Sequence, residues 1–119
     1  MSETFQRITE YKVSVFPDKM ANSKDMLAAE EADTWSLTVA WRGRDKWAVM
    51  TGMRRCLGTD GKWDWEPSPS NREDDWLATH RFDLETALRL AAEHAPKVTI
   101  NGLTALDILA KHETRAATT

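Results

Sequence analysis

The sequence has little cysteine and no long apolar segment. Its single cysteine, Cys56, excludes an internal disulfide and is typical of a protein in a reducing compartment. No stretch approaches the roughly 20 apolar residues that span a bilayer. The N-terminal residues MSETFQRITEYK contain no apolar signal-peptide segment. These absences favour a cytoplasmic protein without membrane association.

Recognised catalytic and cofactor motifs are also missing. The five glycines form neither a P-loop nor a G-x-G-x-x-G turn, and no serine stands in a G-x-S-x-G elbow. His80, His94 and His112 are dispersed and do not assemble the three or four ligands that zinc needs. Cys56 follows two arginines, which can lower a thiol pKa, but a lone cysteine is more often a small core residue. We therefore expect no catalytic residue, cofactor or metal, and predict that the protein is not an enzyme.

Tryptophan, in contrast, is abundant, with six residues in a chain of 119. Each indole is large and carries one N–H group that needs a partner, so several should lie half-buried at a core edge or an interface. The net charge is −3, but the charge is unevenly distributed. Residues 42–55 carry five basic residues and one acidic residue, and residues 60–85 carry eight acidic and three basic residues.

Alternating apolar and polar residues predict an antiparallel meander. The clearest strand is TWSLTVAW at 34–41, in which Trp35, Leu37, Val39 and Trp41 share one face. Turns are expected at RGRD, 42–45, and at TDG, 59–61. The predicted strands cover residues 12–16, 34–41, 46–57 (bulged or broken at Gly52), 62–66 and 98–100.

The predicted strand at 62–66, KWDWE, has two tryptophans on one face and two carboxylates on the other, which allows two interpretations. Paired carboxylates near aromatic residues occur in glycosidases, which makes Asp64 and Glu66 a conceivable acid–base pair. The simpler interpretation, which we prefer, places Trp63 and Trp65 against the core and both carboxylates in water.

Helices are predicted mainly in the C-terminal half. Asn71 is a candidate cap for residues 72–80 and Asp83 for residues 84–95, and a last helix covers 104–112. Two alternatives remain for residues 17–33: a short helix, capped by Asn22 or Ser23, or a flexible loop between strands. The predicted core residues are Leu37, Val39, Trp47, Val49, Leu88, Ala91, Ile108 and Leu109.

Together these elements predict an α+β fold: an antiparallel β-meander of three to four strands with two to three C-terminal helices packed on one face. A chain of 119 residues is expected to form a single domain, 1–119. Its ends, 1–8 and 113–119, are expected to fray.

A binding surface is the functional prediction that composition supports best. Trp and Arg dominate interface hot spots, which favours a protein partner or self-association. Basic residues beside indoles also suit nucleic acid, although the pI of about 5.6 argues against it. The predicted partner-binding residues are Trp41, Arg42, Arg44, Lys46, Arg54, Arg55 and Trp76.

Residues 56–96, CLGTDGKWDWEPSPSNREDDWLATHRFDLETALRLAAEHAP, carry a resemblance. With the Trp47-Ala48-Val49 strand and the V-T-x-N-G segment near Val98, this region resembles small accessory proteins of actinobacteriophages, especially mycobacteriophages. The resemblance covers about the C-terminal two-thirds of the chain. It implies a protein that acts inside a bacterial host by binding and modulating one host protein, and it transfers no functional residue.

Overall fold

The fold is α+β. A computed structural model describes residues 2–52 and 54–117. The strands among these residues are β1 Glu10–Val13, β2 Leu37–Trp41, β3 Trp47–Met50, β4 Arg55–Leu57, β5 Trp63–Trp65, β6 Thr99–Ile100 and β7 Leu103–Thr104. The helices are α1 Asp18–Ala21, α2 Met26–Thr34, α3 Asp74–His80, α4 Leu84–His94 and α5 Ala105–Ala117. Short 3-10 turns cover Pro69–Asn71 and Ala95–Lys97.

The main sheet is an antiparallel meander in the order β1-β2-β3-β4-β5, so β5 is an edge strand. The predicted strand at 46–57 is broken near Gly52, as one alternative anticipated, but the chain also reverses there, so β3 and β4 pair antiparallel and the meander has five strands rather than three to four. The predicted strand at 98–100 forms a small hairpin of β6 with β7. Its turn uses Asn101 and Gly102 in left-handed conformations.

One face of the meander packs against α4. Its buried centre combines strand residues with three alanines of α4 and the following turn: Leu37, Val39, Trp47, Val49, Leu57, Phe82, Ala87, Ala91 and Ala95. The small alanine side chains let α4 approach the sheet closely. Asp83 caps α4 as predicted, because its carboxylate accepts a hydrogen bond from the Thr86 N–H at 2.8 Å.

A second core cluster lies outside the sheet. It joins α2 to α5 through Ala28, Ala32, Ala105 and Ile108, together with Phe16, Met20 and Trp35. The prediction that Trp35 shares a strand face with Leu37 is wrong. Trp35 is the C-cap residue that follows α2, and β2 begins two residues later. The alternation that starts at Thr34 therefore includes the last turn of a helix.

Several helix ends differ from the sequence-based boundaries. The helical alternative for residues 17–33 is correct, but the cap of α2 is Asp25, which accepts hydrogen bonds from the N–H groups of Leu27 and Ala28. Glu73, not Asn71, precedes the first residue of α3. The last helix continues to Ala117, stabilised at its start by reciprocal hydrogen bonds between Thr104 and Asp107.

Among the described residues, no helix is both long enough and apolar enough to cross a membrane. The frayed ends stay a prediction, and Met1 and residues 118–119 lie outside the described residues.

The cap of α4 makes a pH prediction. Hydrogen bonds from Thr86 favour the charged carboxylate and hold the pKa of Asp83 below its ordinary value. Because the folded-state pKa is depressed, the carboxylate stabilises the fold above the unfolded pKa of about 3.9, and this contribution is lost as the pH falls through the folded-state value. We expect Asp83→Asn to be less stable than wild type at neutral pH, with the difference closing in acid. Urea unfolding at several pH values measures this; a difference that does not change with pH would contradict it.

Candidate functional site

The face of the sheet opposite α4 carries a cluster of ion pairs centred on Glu66. The Glu66 carboxylate lies 2.5 Å from the Arg81 guanidinium, 3.6 Å from that of Arg42 and 3.7 Å from that of Arg72. Only 9% of the Glu66 side chain is exposed. The prediction that Glu66 faces water is therefore wrong.

Asp64 lies on the same face and binds His80. The Asp64 carboxylate is 2.8 Å from Nε2 of His80, and Nδ1 of His80 is 2.9 Å from the Thr79 hydroxyl. The Asp64 side chain remains half exposed, whereas His80 is buried. Asp64 thus has a water-exposed side, as predicted, but it also holds the end of α3 to the sheet.

Trp76 contacts both the Asp64–His80 pair and the Glu66 cluster. Its indole stacks in parallel on the His80 ring, with centroids 4.3 Å apart, and the Arg81 guanidinium lies 5.1 Å from the indole centre. Trp76 is half-buried by these contacts. Its role in partner binding stays a prediction, and the structure gives it a packing role on this face.

Cys56 lies under the same cluster and is fully buried. Burial, with the nearby Glu66 carboxylate as a second cause, raises the pKa of the Cys56 thiol despite the lowering effect of Arg81. A raised pKa keeps the thiol protonated at neutral pH, and a buried, protonated thiol is a poor nucleophile. The interpretation of Cys56 as a small core residue fits these observations.

The remaining predicted contact residues are dispersed. Trp41 is half-buried under Arg7, whose guanidinium is 4.4 Å from the indole centre. Arg42 is in the Glu66 cluster. The other basic residues occupy two exposed turns: Arg44 and Lys46 in the β2–β3 hairpin, and Arg54 and Arg55 at the start of β4.

The exposed tryptophan is Trp65, which sequence analysis assigned to the core. It is 61% exposed, and its partner across the ladder is Arg55, whose guanidinium lies 4.9 Å from the indole centre. We call Trp65, Arg55 and the adjoining Arg54 the Trp65 surface. Trp63, on the same face, does pack against the core, with the His94 ring edge-on at 5.9 Å.

Arg54 adopts a left-handed conformation with a φ of 61°. Such a backbone costs a non-glycine residue roughly 1–2 kcal/mol. Its carbonyl nevertheless accepts a hydrogen bond from the Glu66 N–H at 3.2 Å, which continues the β4–β5 ladder. The turn that presents the two exposed arginines is therefore attached directly to the buried Glu66 cluster.

Within residues 2–52 and 54–117, no three His, Cys, Asp or Glu side chains are grouped so that they could hold a metal ion. No protein-family model, curated protein or solved structure matches the chain.

The Glu66 cluster makes a stability prediction. Glu66→Gln leaves Arg81, whose side chain is 6% exposed, without its counter-charge. Removing one partner of a buried ion pair costs several kcal/mol, and two of the three arginines here keep some solvent, so we expect a loss of about 2–4 kcal/mol in the free energy of unfolding. Urea unfolding followed by tryptophan fluorescence measures this.

Glu93→Gln is the matched control, because it makes the same chemical change in the exposed pair with Arg89. Its loss should stay below about 0.5 kcal/mol. Equal losses for the two variants would show that the Glu66 cluster adds no stability beyond a surface pair.

Proposed function

We propose that the protein is a non-enzymatic binding module that contacts a bacterial host protein through the Trp65 surface. The observation that carries the proposal is an exposed tryptophan, stacked with an arginine, on an edge strand of the sheet. The actinobacteriophage resemblance supplies the bacterial setting.

The exposure of Trp65 is the first argument. Trp35 and Trp47 are buried, and Trp41, Trp63 and Trp76 are half-buried by packing or stacking partners. Trp65 leaves most of its indole in water, so apart from the stacking with Arg55 it buries little apolar area in the isolated fold. Since Trp and Arg are the residues most enriched among interface hot spots, the Trp65–Arg55 pair suits a contact with another protein.

The unpaired edge of β5 is the second argument. Asp64 pairs with Cys56, and Glu66 donates its N–H to Arg54, so these backbone groups point toward β4. In an antiparallel ladder the intervening residues point the other way, so the backbone groups of Trp63 and Trp65 face the free edge. An extended segment of a partner can add to such an edge through main-chain hydrogen bonds.

Charge indicates which segment fits. Arg54 and Arg55 are exposed and have no ion-pair partner among residues 2–52 and 54–117. An acidic segment that pairs with β5 would bring a carboxylate toward the Arg55 guanidinium, which lies over the Trp65 ring and can bind a carboxylate in bidentate geometry. We therefore propose an extended, acidic segment as the bound part of the host protein.

The test is capture of host protein on immobilised protein from an actinobacterial lysate. We expect wild type to retain a stoichiometric partner, and Trp65→Ala and Arg55→Glu to lose it, because truncating a hot-spot residue costs about 2 kcal/mol or more of binding free energy. Phe5→Ala is the control, because Phe5 is 86% exposed and lies outside the sheet. Thermal unfolding checks that each variant remains folded.

Two results would overturn the proposal. One is capture of the same proteins by wild type and Trp65→Ala. The other is no captured partner together with a monomeric sizing profile. A dimer that Trp65→Ala dissociates would identify a second copy of this chain, rather than a host protein, as the occupant of the edge.

Nucleic acid is the second candidate partner. Its supporting observation is that Arg44, Lys46, Arg54 and Arg55 are exposed and unpaired among the described residues. Arg42 weakens the case, because its guanidinium is held by Glu66. The other four predicted basic residues lie in two turns, Arg44 and Lys46 before β3 and Arg54 and Arg55 after it, so a single hairpin would not present all of them.

A mobility-shift titration separates this candidate from the first. If nucleic acid is the partner, duplex or single-stranded probes should shift at low salt, lose affinity as salt rises, and shift less with Arg44→Glu. Absence of any shift at low salt would remove nucleic acid from consideration.

A further inference from the structure

A cleft of about 690 Å³ lies beside the Trp65 surface. It is lined by residues of β1, the end of α2, β4, β5 and the segment from His94 to Asn101. Its volume is within the range of about 300–1,000 Å³ found for small-molecule sites. No residue of this cleft except Arg55 belongs to the predicted partner-binding set.

The cleft carries excess positive charge. Lys12, Arg55 and Lys97 line it, against one carboxylate, that of Asp33. Asp33 lies 3.6 Å from Lys12, so this pair is internally neutralised. Arg55 and Lys97 keep their charges free of any ion pair with the described residues. Two unpaired cations at one concave site favour an anionic ligand.

An aromatic surface adjoins the cations. Trp63 lines the cleft, and His94 both lines it and contacts the Trp63 ring edge-on, which fixes the two rings against each other. Base–aromatic stacking contributes about 1–3 kcal/mol per base in nucleic-acid-binding proteins. Asn101 and Thr34 add polar groups to the lining that can hydrogen-bond to a sugar or a base edge, and the hydroxyls of Ser36 and Thr99, which donate to the Ala32 and Lys97 carbonyls, can still accept.

From this combination we propose that the cleft binds a nucleoside monophosphate. The phosphate group interacts with Arg55 and Lys97, and the base lies against Trp63. Guanidinium and ammonium groups are the usual phosphate partners in proteins, and a planar base matches the aromatic surface. The cleft shares Arg55 with the Trp65 surface, but Trp65 does not line it and Lys97 belongs to the cleft alone, so the nucleotide proposal does not depend on a protein partner at the β5 edge.

Isothermal titration calorimetry at low ionic strength tests the proposal with the four ribonucleoside monophosphates. At least one should bind, and more tightly than both its nucleoside and inorganic phosphate. Lys97→Glu and Arg55→Glu should each weaken that affinity by roughly tenfold or more, because each reverses a charge beside the phosphate. Lys97 is exposed, so its substitution should leave stability nearly unchanged.

Lys24→Glu is the matched control, since it makes the same charge change at an exposed residue outside the cleft. Lys97→Glu should in turn keep the protein partner captured at the β5 edge, because Lys97 lies outside the Trp65 surface, and this separates the two proposals. Three results would overturn the nucleotide proposal: no binding of any nucleotide, equal weakening by Lys24→Glu and Lys97→Glu, or inorganic phosphate binding as tightly as the nucleotides.

Discussion

The burial of one carboxylate, that of Glu66, fixes the arrangement of the edge of the sheet. The Glu66 carboxylate pairs with three arginines: Arg42 in the β2–β3 hairpin, Arg72 in the loop before α3, and Arg81 just after α3. These segments are distant in sequence, so their mutual positions depend on a shared counter-ion. Because side chains alternate along β5, placing Glu66 on this face puts Trp65 on the other. Trp63 shares that face and packs against the core, whereas Trp65, the last residue of β5, is 61% exposed and stacks with Arg55.

Much of the fold was predictable because periodicity and capping act locally. The meander, the break near Gly52 and the Asp83 cap all depend on residues within a few positions of each other. The faces of β5 were not predictable in the same way. Alternation shows that Trp65 and Glu66 lie on opposite faces, but it does not show that Trp65 is left 61% exposed or that Arg81 pairs with Glu66. Those facts depend on tertiary packing that a sequence window does not contain.

The cleft illustrates the same limit for function. Its cations, Arg55 and Lys97, are about forty positions apart in the chain and belong to a strand and a 3-10 turn. Local sequence motifs, such as glycine-rich loops and closely spaced ligands, do not describe a pair of residues so far apart in the chain. The sequence does show a basic segment at 42–55, but its residues have different surroundings in the structure. Arg42 pairs with Glu66, whereas Arg55 lies beside both the cleft and the exposed indole of Trp65.

Most of the tryptophans pack within the fold. A small domain has a limited core, and indoles bury a large area per residue. Trp47 and Trp35 serve the two core clusters in this way, and Trp76 covers His80 at the sheet. The high tryptophan content therefore mainly reflects the buried area that a domain of this size needs. Trp65 instead leaves most of its indole in water, and this exposure beside the Arg55 guanidinium is the observation that supports the proposed partner contact.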